Sequence, residues 1–323
     1  MIADVQPPRR PLAPAPTSSL LTAGEFERVR DGYHSLMDIG PETEPHLREV
    51  LEHVLDHPGS LLRAQLAYSI MLTHGVEEER CLAAAVALEY FHSASLVFDD
   101  MPSMDDAAER RGVPCAHVAH GEASATLAGL AMINRGYALL WEVIGTLPPD
   151  RGSEAARLVT DSLGVRGVLN GQSRDLNFRD SARRERDVLD AAAGKTVALI
   201  RLTLLLPALV GGADARTCAA LEHLSTLWGL GYQIMDDFKD CLLSPEESGK
   251  TASRDGALHR PNLPATVGRD RAWDRLSGMQ DEARSVVARL QERGGWSVLA
   301  RLQDVLDREQ ERIKSRLAAT ATA

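Results

Sequence analysis

The most informative stretch of this sequence is Ser95-Leu96-Val97-Phe98-Asp99-Asp100-Met101-Pro102-Ser103-Met104-Asp105-Asp106. An apolar helical run ends here in adjacent carboxylates, and two more carboxylates follow a proline. Asp99 and Asp105 would stand about 240° apart on an unbroken helix, so they share a site only if the helix ends between them. Pro102 supplies that break, because proline lacks an N–H and clashes with the preceding turn. The stretch therefore predicts a helix end with gathered carboxylates.

A second acidic cluster, 233–240, lies far downstream and has helical spacing. Gln233, Asp236, Asp237 and Asp240 stand at i, i+3, i+4 and i+7, which places them on one helix face. Carboxylates at this spacing repel one another, and a bound cation would remove the conflict. A solvated acidic face is the alternative, but the residues just before the cluster are nearly all apolar. The two clusters together predict one Mg²⁺ site built from both halves of the chain. Mg²⁺ prefers oxygen ligands, and one ion can be coordinated by protein carboxylates and by substrate phosphates at the same time.

Composition limits the possible partners. The chain has 323 residues, of which 44% are hydrophobic and 4% aromatic, and its net charge is −10. Few aromatic residues and an acidic balance argue against nucleic acid as a partner. Only four of the 36 basic residues are lysine, Lys195, Lys239, Lys250 and Lys314, so each retained lysine is a candidate for a specific role.

Localisation follows from the cysteines and the apolar segments. Four scattered cysteines without Cys-x-x-Cys spacing indicate reduced thiols. The first 20 residues contain no apolar core of a signal peptide. The longest apolar stretch, 196–211, contains Arg201 and Pro207 and is predicted to be too short and too interrupted to span a membrane. We therefore expect a cytoplasmic protein without stable membrane insertion.

The domain organisation is simple. Residues 1–20 contain five prolines and no periodic pattern, which predicts a disordered arm. Residues 21–323 read as helices almost without interruption and show no strand-like alternation of useful length. The sequence predicts one all-α domain of about ten or more helices.

In combination, these motifs resemble the trans-isoprenyl diphosphate synthases, the polyprenyl synthetase family, and most closely its bacterial geranylgeranyl diphosphate synthases. Asp99-Asp100-x-x-x-x-Asp105 followed by Arg110-Arg111-Gly112 matches the family's first aspartate-rich motif, and Asp236-Asp237-x-x-Asp240 matches the second. Further landmarks follow in the family's order: Gly171-Gln172, Gly194-Lys195-Thr196, Gln233, and Gly249-Lys250 with Asp255. The resemblance covers residues 25–315 and implies a helical bundle of the isoprenoid synthase type around a central cavity.

The resemblance also implies site roles. Mg²⁺ ions, three with substrate bound, would hold an allylic diphosphate while isopentenyl diphosphate attacks the allylic cation. The implied metal ligands are Asp99, Asp100, Asp105, Asp236 and Asp240. The implied catalytic residues are Asp99, Asp100, Asp105, Lys195 and Asp236. The implied substrate-binding residues are Gly59, Arg63, His92, Arg110, Arg111, Lys195, Thr196, Gln233, Lys250 and Arg260. The family also usually forms homodimers.

Two positions depart from the family pattern. In the early Gly-Lys-x-x-Arg motif Ser60 replaces lysine between Gly59 and Arg63, which removes a positive charge from the site for isopentenyl diphosphate. A second usual lysine is Arg260, which keeps its charge. His92 could complete this site or could be an ordinary partly buried histidine.

Product length in the family depends on residues just before the first cluster. Ala94 and Ser95 are small, which favours a C20 product, although C15 or a longer chain stays open and a bulky residue from a neighbouring helix could overrule them. Ser95, His92 and Leu88 precede Asp99 by 4, 7 and 11 residues and are predicted to line one cavity wall.

The sequence thus favours a prenyltransferase that makes geranylgeranyl diphosphate. Ser60 motivates one alternative, a terpene synthase-like lyase that ionises a preformed allylic diphosphate. A non-catalytic regulatory subunit of another synthase is the other, although two intact acidic clusters speak against it.

Overall fold

The computed structural model describes residues 19–178, 183–242 and 260–321. Their elements are helices α1 (Ala23–Ser35), α2 (Pro45–Leu55), α3 (Leu62–Thr73) and α4 (Glu78–Asp99), strands β1 (Glu109–Arg110) and β2 (Val113–Pro114), and helices α5 (Ala116–His120), α6 (Glu122–Ile144), α7 (Pro149–Leu163), α8 (Val168–Leu176), α9 (Glu185–Ala192), α10 (Ala198–Val210), α11 (Ala215–Leu242), α12 (Leu263–Val267), α13 (Arg269–Gln291) and α14 (Ser297–Ala321). A π-helical turn, Ala193–Val197, joins α9 to α10. The all-α prediction is confirmed.

Helix α4 is the centre of the bundle and packs along α3 and α6. Its contact with α6 depends on two glycines of α6. A Cβ at Gly129 would lie 2.7 Å from the Phe98 ring, and one at Gly136 would lie 3.0 Å from the Phe91 ring. Because neither glycine has a side chain, both rings of α4 lie directly on the α6 backbone.

Three local predictions were wrong. The chain forms a short antiparallel hairpin, β1–β2, after the first acidic cluster, although no strand was expected. The sequence pattern starts the helix after Pro148-Pro149 at Glu154, whereas α7 begins at Pro149, because proline fits the first turn of a helix, where its missing N–H is not needed. Residues 164–167, which contain two glycines, separate α7 from α8, although the sequence pattern predicts one continuous helix over residues 154–177.

Two helical stretches, Glu78–Asp99 and Glu185–Val210, are long and apolar enough to cross a membrane by length and composition. The second contains residues 196–210 of the apolar stretch that is predicted to be too short, and it is longer because the helical path begins earlier, at Glu185. In each, 67% of the most apolar window is buried inside the bundle, as in the core helices of soluble proteins.

The last residues of the predicted arm, Ser19 and Leu20, contact the helical bundle. Leu20 is buried, its N–H donates to Gln65 Oε1 at 2.8 Å, and its carbonyl accepts from Arg301 Nε at 3.1 Å. Gln65 also donates to the Ser60 carbonyl at 2.6 Å. Residues 1–18 of the arm lie outside the described residues.

Candidate active site

The first acidic cluster forms a tight loop at the end of α4. The helix ends at Asp99, before Pro102, as predicted. The Asp105 N–H then donates to the Asp99 carbonyl at 2.9 Å, and the Asp106 N–H donates to the Met101 carbonyl at 3.0 Å. These bonds fold the loop back, so that Asp99 and Asp105 belong to one compact turn.

Asp100 faces a different partner. It is only 4% exposed, and the Nε of Arg110 donates to its two oxygens at 2.9 and 2.7 Å. Arg110 belongs to β1, so this pair attaches the hairpin to the end of α4. A metal contact by Asp100, as predicted, would require the pair to open.

Asp99 and Asp105 take part in an alternating charge chain, defined here as Asp99, Lys195, Asp175, Arg260 and Asp105. Lys195 Nζ lies 3.8 Å from Asp99 Oδ2 and 3.3 Å from Asp175 Oδ2. Arg260 Nη1 lies 3.5 Å from Asp175 Oδ2, and its Nη2 lies 2.7 Å from Asp105 Oδ1. Two cations therefore hold three carboxylates together.

The pKa values of Asp99 and Lys195 in the charge chain show the electrostatic cost of placing several carboxylates close together. Burial raises the pKa of Asp99 to about 6, and Asp105 adds to the effect while Lys195 opposes it. Burial lowers the pKa of Lys195, but Asp99 and Asp175 outweigh burial and leave it above its ordinary value. The site therefore has an excess of buried negative charge that a further cation would neutralise.

Asp175 was missed by the sequence reasoning. It stands three residues after Gln172 on α8, and Gln172 donates to Asp99 Oδ1 at 2.7 Å. Both side chains thus reach the same site from one helix face. Their i, i+3 spacing after Gly171 was the available signal.

Two glycines position Lys195. A Cβ at Gly171 on α8 would collide with the Lys195 backbone nitrogen, and a Cβ at Gly194 would collide with Gly171. The π-helical turn places the extra residue at this crossing. The motif Gly194-Lys195-Thr196 is therefore a close backbone approach that projects Lys195 toward Asp99.

The second acidic cluster lies at the end of α11, and its carboxylates fall into two groups with different roles. Asp237 is 1% exposed, its Oδ2 accepts from the Leu263 N–H at 2.8 Å, and its Oδ1 accepts from Gln233 at 3.0 Å. Gln233 accepts in turn from Thr196 at 3.0 Å. Burial raises the pKa of Asp237 to about 7. Asp237 therefore holds the start of α12, while Asp236 and Asp240 remain the predicted metal ligands.

Within residues 19–178, 183–242 and 260–321, no three His, Cys, Asp or Glu side chains converge as a metal site. This fits Mg²⁺, which usually keeps waters and completes its shell with substrate phosphates rather than with an all-protein cage. Asp99 offers carboxylate oxygens beside a cavity, and Lys195 compensates its charge only in part. The donor set therefore suits Mg²⁺ brought together with a diphosphate.

An apolar cavity of about 310 Å³ lies beneath Asp99. Its polar end is formed by Asp99, Gln172 and Lys195. Its remaining walls are mostly apolar: Phe91, Ser95, Phe98, Met104, Ile133, Tyr137, Leu163, Val168, Leu169 and Leu199. The rings of Phe91 and Tyr137 meet edge to face, with centroids 5.0 Å apart.

The prediction for this wall was partly wrong. Ser95 lines the cavity, but Ala94 and Leu88 are fully buried and do not. The wall follows residues 91, 95 and 98, one turn apart on α4, whereas His92 points toward arginines on another side. Phe91 and, from α6, Tyr137 are the bulky residues near the small Ser95.

A second, basic cluster of residues, which we call the basic pocket, lies around Arg63. Burial and then Arg63 and Arg111 lower the pKa of His92 well below its usual value, so His92 is neutral at pH 7. Arg111 donates to the His57 carbonyl at 3.0 Å, and its guanidinium occupies the space where a side chain at Gly59 would stand. The structure thus brings Gly59, Arg63, His92 and Arg111 together, while Lys250 lies outside the described residues.

The fold and these two pockets define a class of protein: an all-α enzyme that holds a charged group above an apolar cavity, beside a second, basic pocket. A family model described as polyprenyl synthetase matches residues 44–287. A geranylgeranyl diphosphate synthase of Rhodobacter capsulatus is 34% identical over 81% of this chain and 86% of its own length.

Two solved structures share the fold. A farnesyl/geranylfarnesyl diphosphate (FPP/GFPP) synthase of Zymomonas mobilis has TM-score 0.74 and 22% identity over 86% of this chain and 94% of its own. A Helicobacter pylori geranyltransferase complexed with magnesium and isoprenyl diphosphate has TM-score 0.70 and 21% identity, over 94% and 99%.

The chain therefore belongs to the polyprenyl synthetase family. It is a trans-prenyltransferase, which condenses isopentenyl diphosphate with an allylic diphosphate. Of the three activities that the sequence left open, the family supports chain elongation.

Proposed function

We propose that this prenyltransferase is Mg²⁺-dependent and makes geranylgeranyl diphosphate. The observation that carries the proposal is the cavity with Asp99 and Lys195 at one end and apolar walls below. Such a cavity accepts an allylic diphosphate with its charged head among the carboxylates and its hydrocarbon chain among the side chains of α4, α6 and α8. The C20 product is supported by the Rhodobacter capsulatus relative and by the small Ser95.

Mg²⁺ would stabilise the negative charge that develops on the departing diphosphate. Asp99, Asp105, Asp236 and Asp240 would hold three ions with substrate bound. The Helicobacter pylori neighbour, which is complexed with magnesium and isoprenyl diphosphate, supports Mg²⁺ as the metal. Asp100 would act mainly through Arg110, whose position it holds.

Cationic side chains of the protein would neutralise the negative charge of the departing diphosphate. Lys195 and Arg260 are paired with carboxylates in the charge chain, and an entering diphosphate with its metals would let both turn toward the substrate. Lys250 would add to them. Thr196 and Gln233, which hydrogen-bond each other, would position the allylic end.

Isopentenyl diphosphate would bind at Arg63, His92 and Arg111. Two arginines with a neutral histidine can hold a diphosphate without a metal, because guanidinium groups match phosphate oxygens in pairs. Ser60 contributes no charge there, so we propose that this chain binds its second substrate mainly through arginine.

The enzyme would be a cytoplasmic homodimer that binds no nucleic acid and does not insert stably into membranes. An apolar stripe on α6 supports the dimer: Leu127, Leu130 and Trp141 are 55%, 52% and 44% exposed. A large exposed apolar stripe on a soluble protein commonly marks a protein interface.

The test is turnover of purified protein with Mg²⁺ and dimethylallyl, geranyl or farnesyl diphosphate, each with and without isopentenyl diphosphate. We expect C20 diphosphate by mass spectrometry only when both substrates are present. Hydrocarbons or alcohols from the allylic substrate alone would contradict the proposal. Replacing Tyr137 by alanine should lengthen the product by one or more C5 units, and an unchanged product would show that the Phe91–Tyr137 pair is not the end of the cavity.

A further inference from the structure

Helix α3 begins without a cap of its own. Its N-cap residue, Leu61, is left-handed at φ +51°, and its side chain makes no capping hydrogen bond. The first N–H groups of a helix have no partner within the helix and need an acceptor from elsewhere. Arg63 stands in this first turn, so whatever fixes the turn also fixes the backbone of Arg63.

Glu89 of α4 supplies the acceptor. Its side chain is 2% exposed, and its Oε2 accepts from the Ala64 N–H at 3.0 Å. The Arg63 N–H also stabilises this carboxylate. A carboxylate at the N-terminus of a helix is favourable for the helix dipole as well, so Glu89 caps α3 from a different helix.

Glu89 also provides the negative charge that faces both arginines of the basic pocket. Burial raises the pKa of Glu89, while Arg63, the capped backbone and Arg111 oppose the rise. Burial in turn lowers the pKa of both Arg63 and Arg111, and Glu89 is the first group that opposes it at each. The Nε of Arg63 is buried and has no hydrogen-bond partner in the described parts of the chain, so this side chain is not held by a bond at Nε.

We propose that Glu89 is a positioning residue for the second substrate: by capping α3 from α4, it places Arg63 toward the diphosphate of isopentenyl diphosphate. The inference rests on the proposed use of the basic pocket and adds to it a residue that touches neither substrate. It matters more in this chain because Ser60 leaves Arg63 as the one basic side chain among residues 59–63.

Two substitutions separate the cap from the charge. Glu89→Gln keeps an acceptor for the Ala64 N–H but removes the charge, whereas Glu89→Leu removes both. Glu79→Gln is the matched control, because Glu79 is exposed near the start of the same helix. For each protein, KM for isopentenyl diphosphate, KM for the allylic diphosphate, kcat and Tm are measured. Binding of isopentenyl diphosphate alone, without Mg²⁺, is measured by calorimetry.

We expect Glu89→Leu to raise KM and Kd for isopentenyl diphosphate on the order of tenfold, with kcat and the allylic KM within about twofold of wild type. Glu89→Gln should recover most of the loss, and Glu79→Gln should match wild type. An unchanged KM for isopentenyl diphosphate in Glu89→Leu overturns the inference. So does a parallel change in both KM values, kcat and Tm, which indicates general damage to the fold. If wild-type protein itself does not consume isopentenyl diphosphate, the proposed function fails instead.

Discussion

The pocket around Asp99 and the pocket around Arg63 differ in how their charges are paired. Around Asp99, three carboxylates alternate with Lys195 and Arg260. Around Arg63, two arginines and a neutral histidine lie near the buried carboxylate of Glu89. The first pocket is therefore acidic and needs added cations, whereas the second is basic without them.

This difference matches two tasks. A diphosphate that must leave needs charge stabilisation that grows as its bond breaks, and metal ions supply it. A diphosphate that stays attached throughout needs binding alone, for which fixed guanidinium groups suffice. Substitutions in the first pocket should therefore lower kcat, and substitutions in the second should raise KM for isopentenyl diphosphate.

The largest effect is expected from removing a carboxylate that is predicted to hold metal. Asp99→Ala and Asp236→Ala should each lower kcat on the order of 10³-fold, because the departing diphosphate loses part of its charge stabilisation. Steady-state turnover with saturating substrates and Mg²⁺ measures the loss. Asp274→Ala, at an exposed position of α13, is the control. Near-normal turnover in either variant would contradict a metal site shared between the two clusters.

A smaller loss is expected from Asp175→Asn, which removes the central anion of the charge chain. Lys195 and Arg260 would then lose the partner that holds both. Residues that orient groups in contact with a metal or substrate commonly contribute roughly 10- to 100-fold to affinity or activity. We expect kcat to fall by that factor and the allylic KM to rise, with KM for isopentenyl diphosphate unchanged. A rise confined to isopentenyl diphosphate would mean that the two pockets are not separate.

The metal-side pocket shows what sequence reasoning can and cannot reach. The sequence predicted the helix end at Asp99, the break before Pro102 and the family landmarks, because these depend on local spacing and chain order. The sequence did not predict the charge chain that runs from Lys195 through Asp175 to Arg260. These three residues come from a π-helical turn, from α8 and from the segment before α12. Spacing along one helix says nothing about which distant cation a carboxylate meets.

The cavity wall illustrates a different limit. Counting back from Asp99 correctly placed Ser95 on the wall but also placed His92 and Leu88 there. The direction in which α4 faces α6 is set by Gly129 and Gly136, whose lack of side chains lets the rings of Phe98 and Phe91 approach. The same helix therefore turns Phe91 into the cavity and His92 toward Arg63. Glu89 was likewise unreadable, because its partner is the backbone of another helix.

In the basic pocket, placing the lysine that is usual in the family at position 60 should strengthen the binding of isopentenyl diphosphate. Ser60 is exposed, and an exposed ion pair contributes up to about 1 kcal/mol, which corresponds to roughly a fivefold change in binding. Ser60→Lys should lower KM for isopentenyl diphosphate by about two- to fivefold and leave kcat and the allylic KM unchanged. Ser60→Ala is the control for loss of the hydroxyl. An unchanged KM in Ser60→Lys would mean that this loop does not face the second diphosphate.

The last prediction concerns stability rather than turnover, and it separates Asp237 from its neighbours in the second cluster. The pKa of Asp237 is about 7 in the folded protein, against about 3.9 for an ordinary aspartate. Between these pH values the folded state keeps a proton that the unfolded state has lost, so the free energy of unfolding falls as pH rises. The stabilisation is fully present below about pH 4 and is lost as pH passes about 7. For metal-free protein we expect the free energy of unfolding to decrease by roughly 1–3 kcal/mol, which corresponds to a few degrees in Tm.

Thermal unfolding in EDTA from pH 5 to pH 8 measures this decrease. Asp237→Asn, which keeps an acceptor for the Leu263 N–H, should flatten the slope, and an equally steep slope in that variant would assign the effect to other groups, such as Asp99.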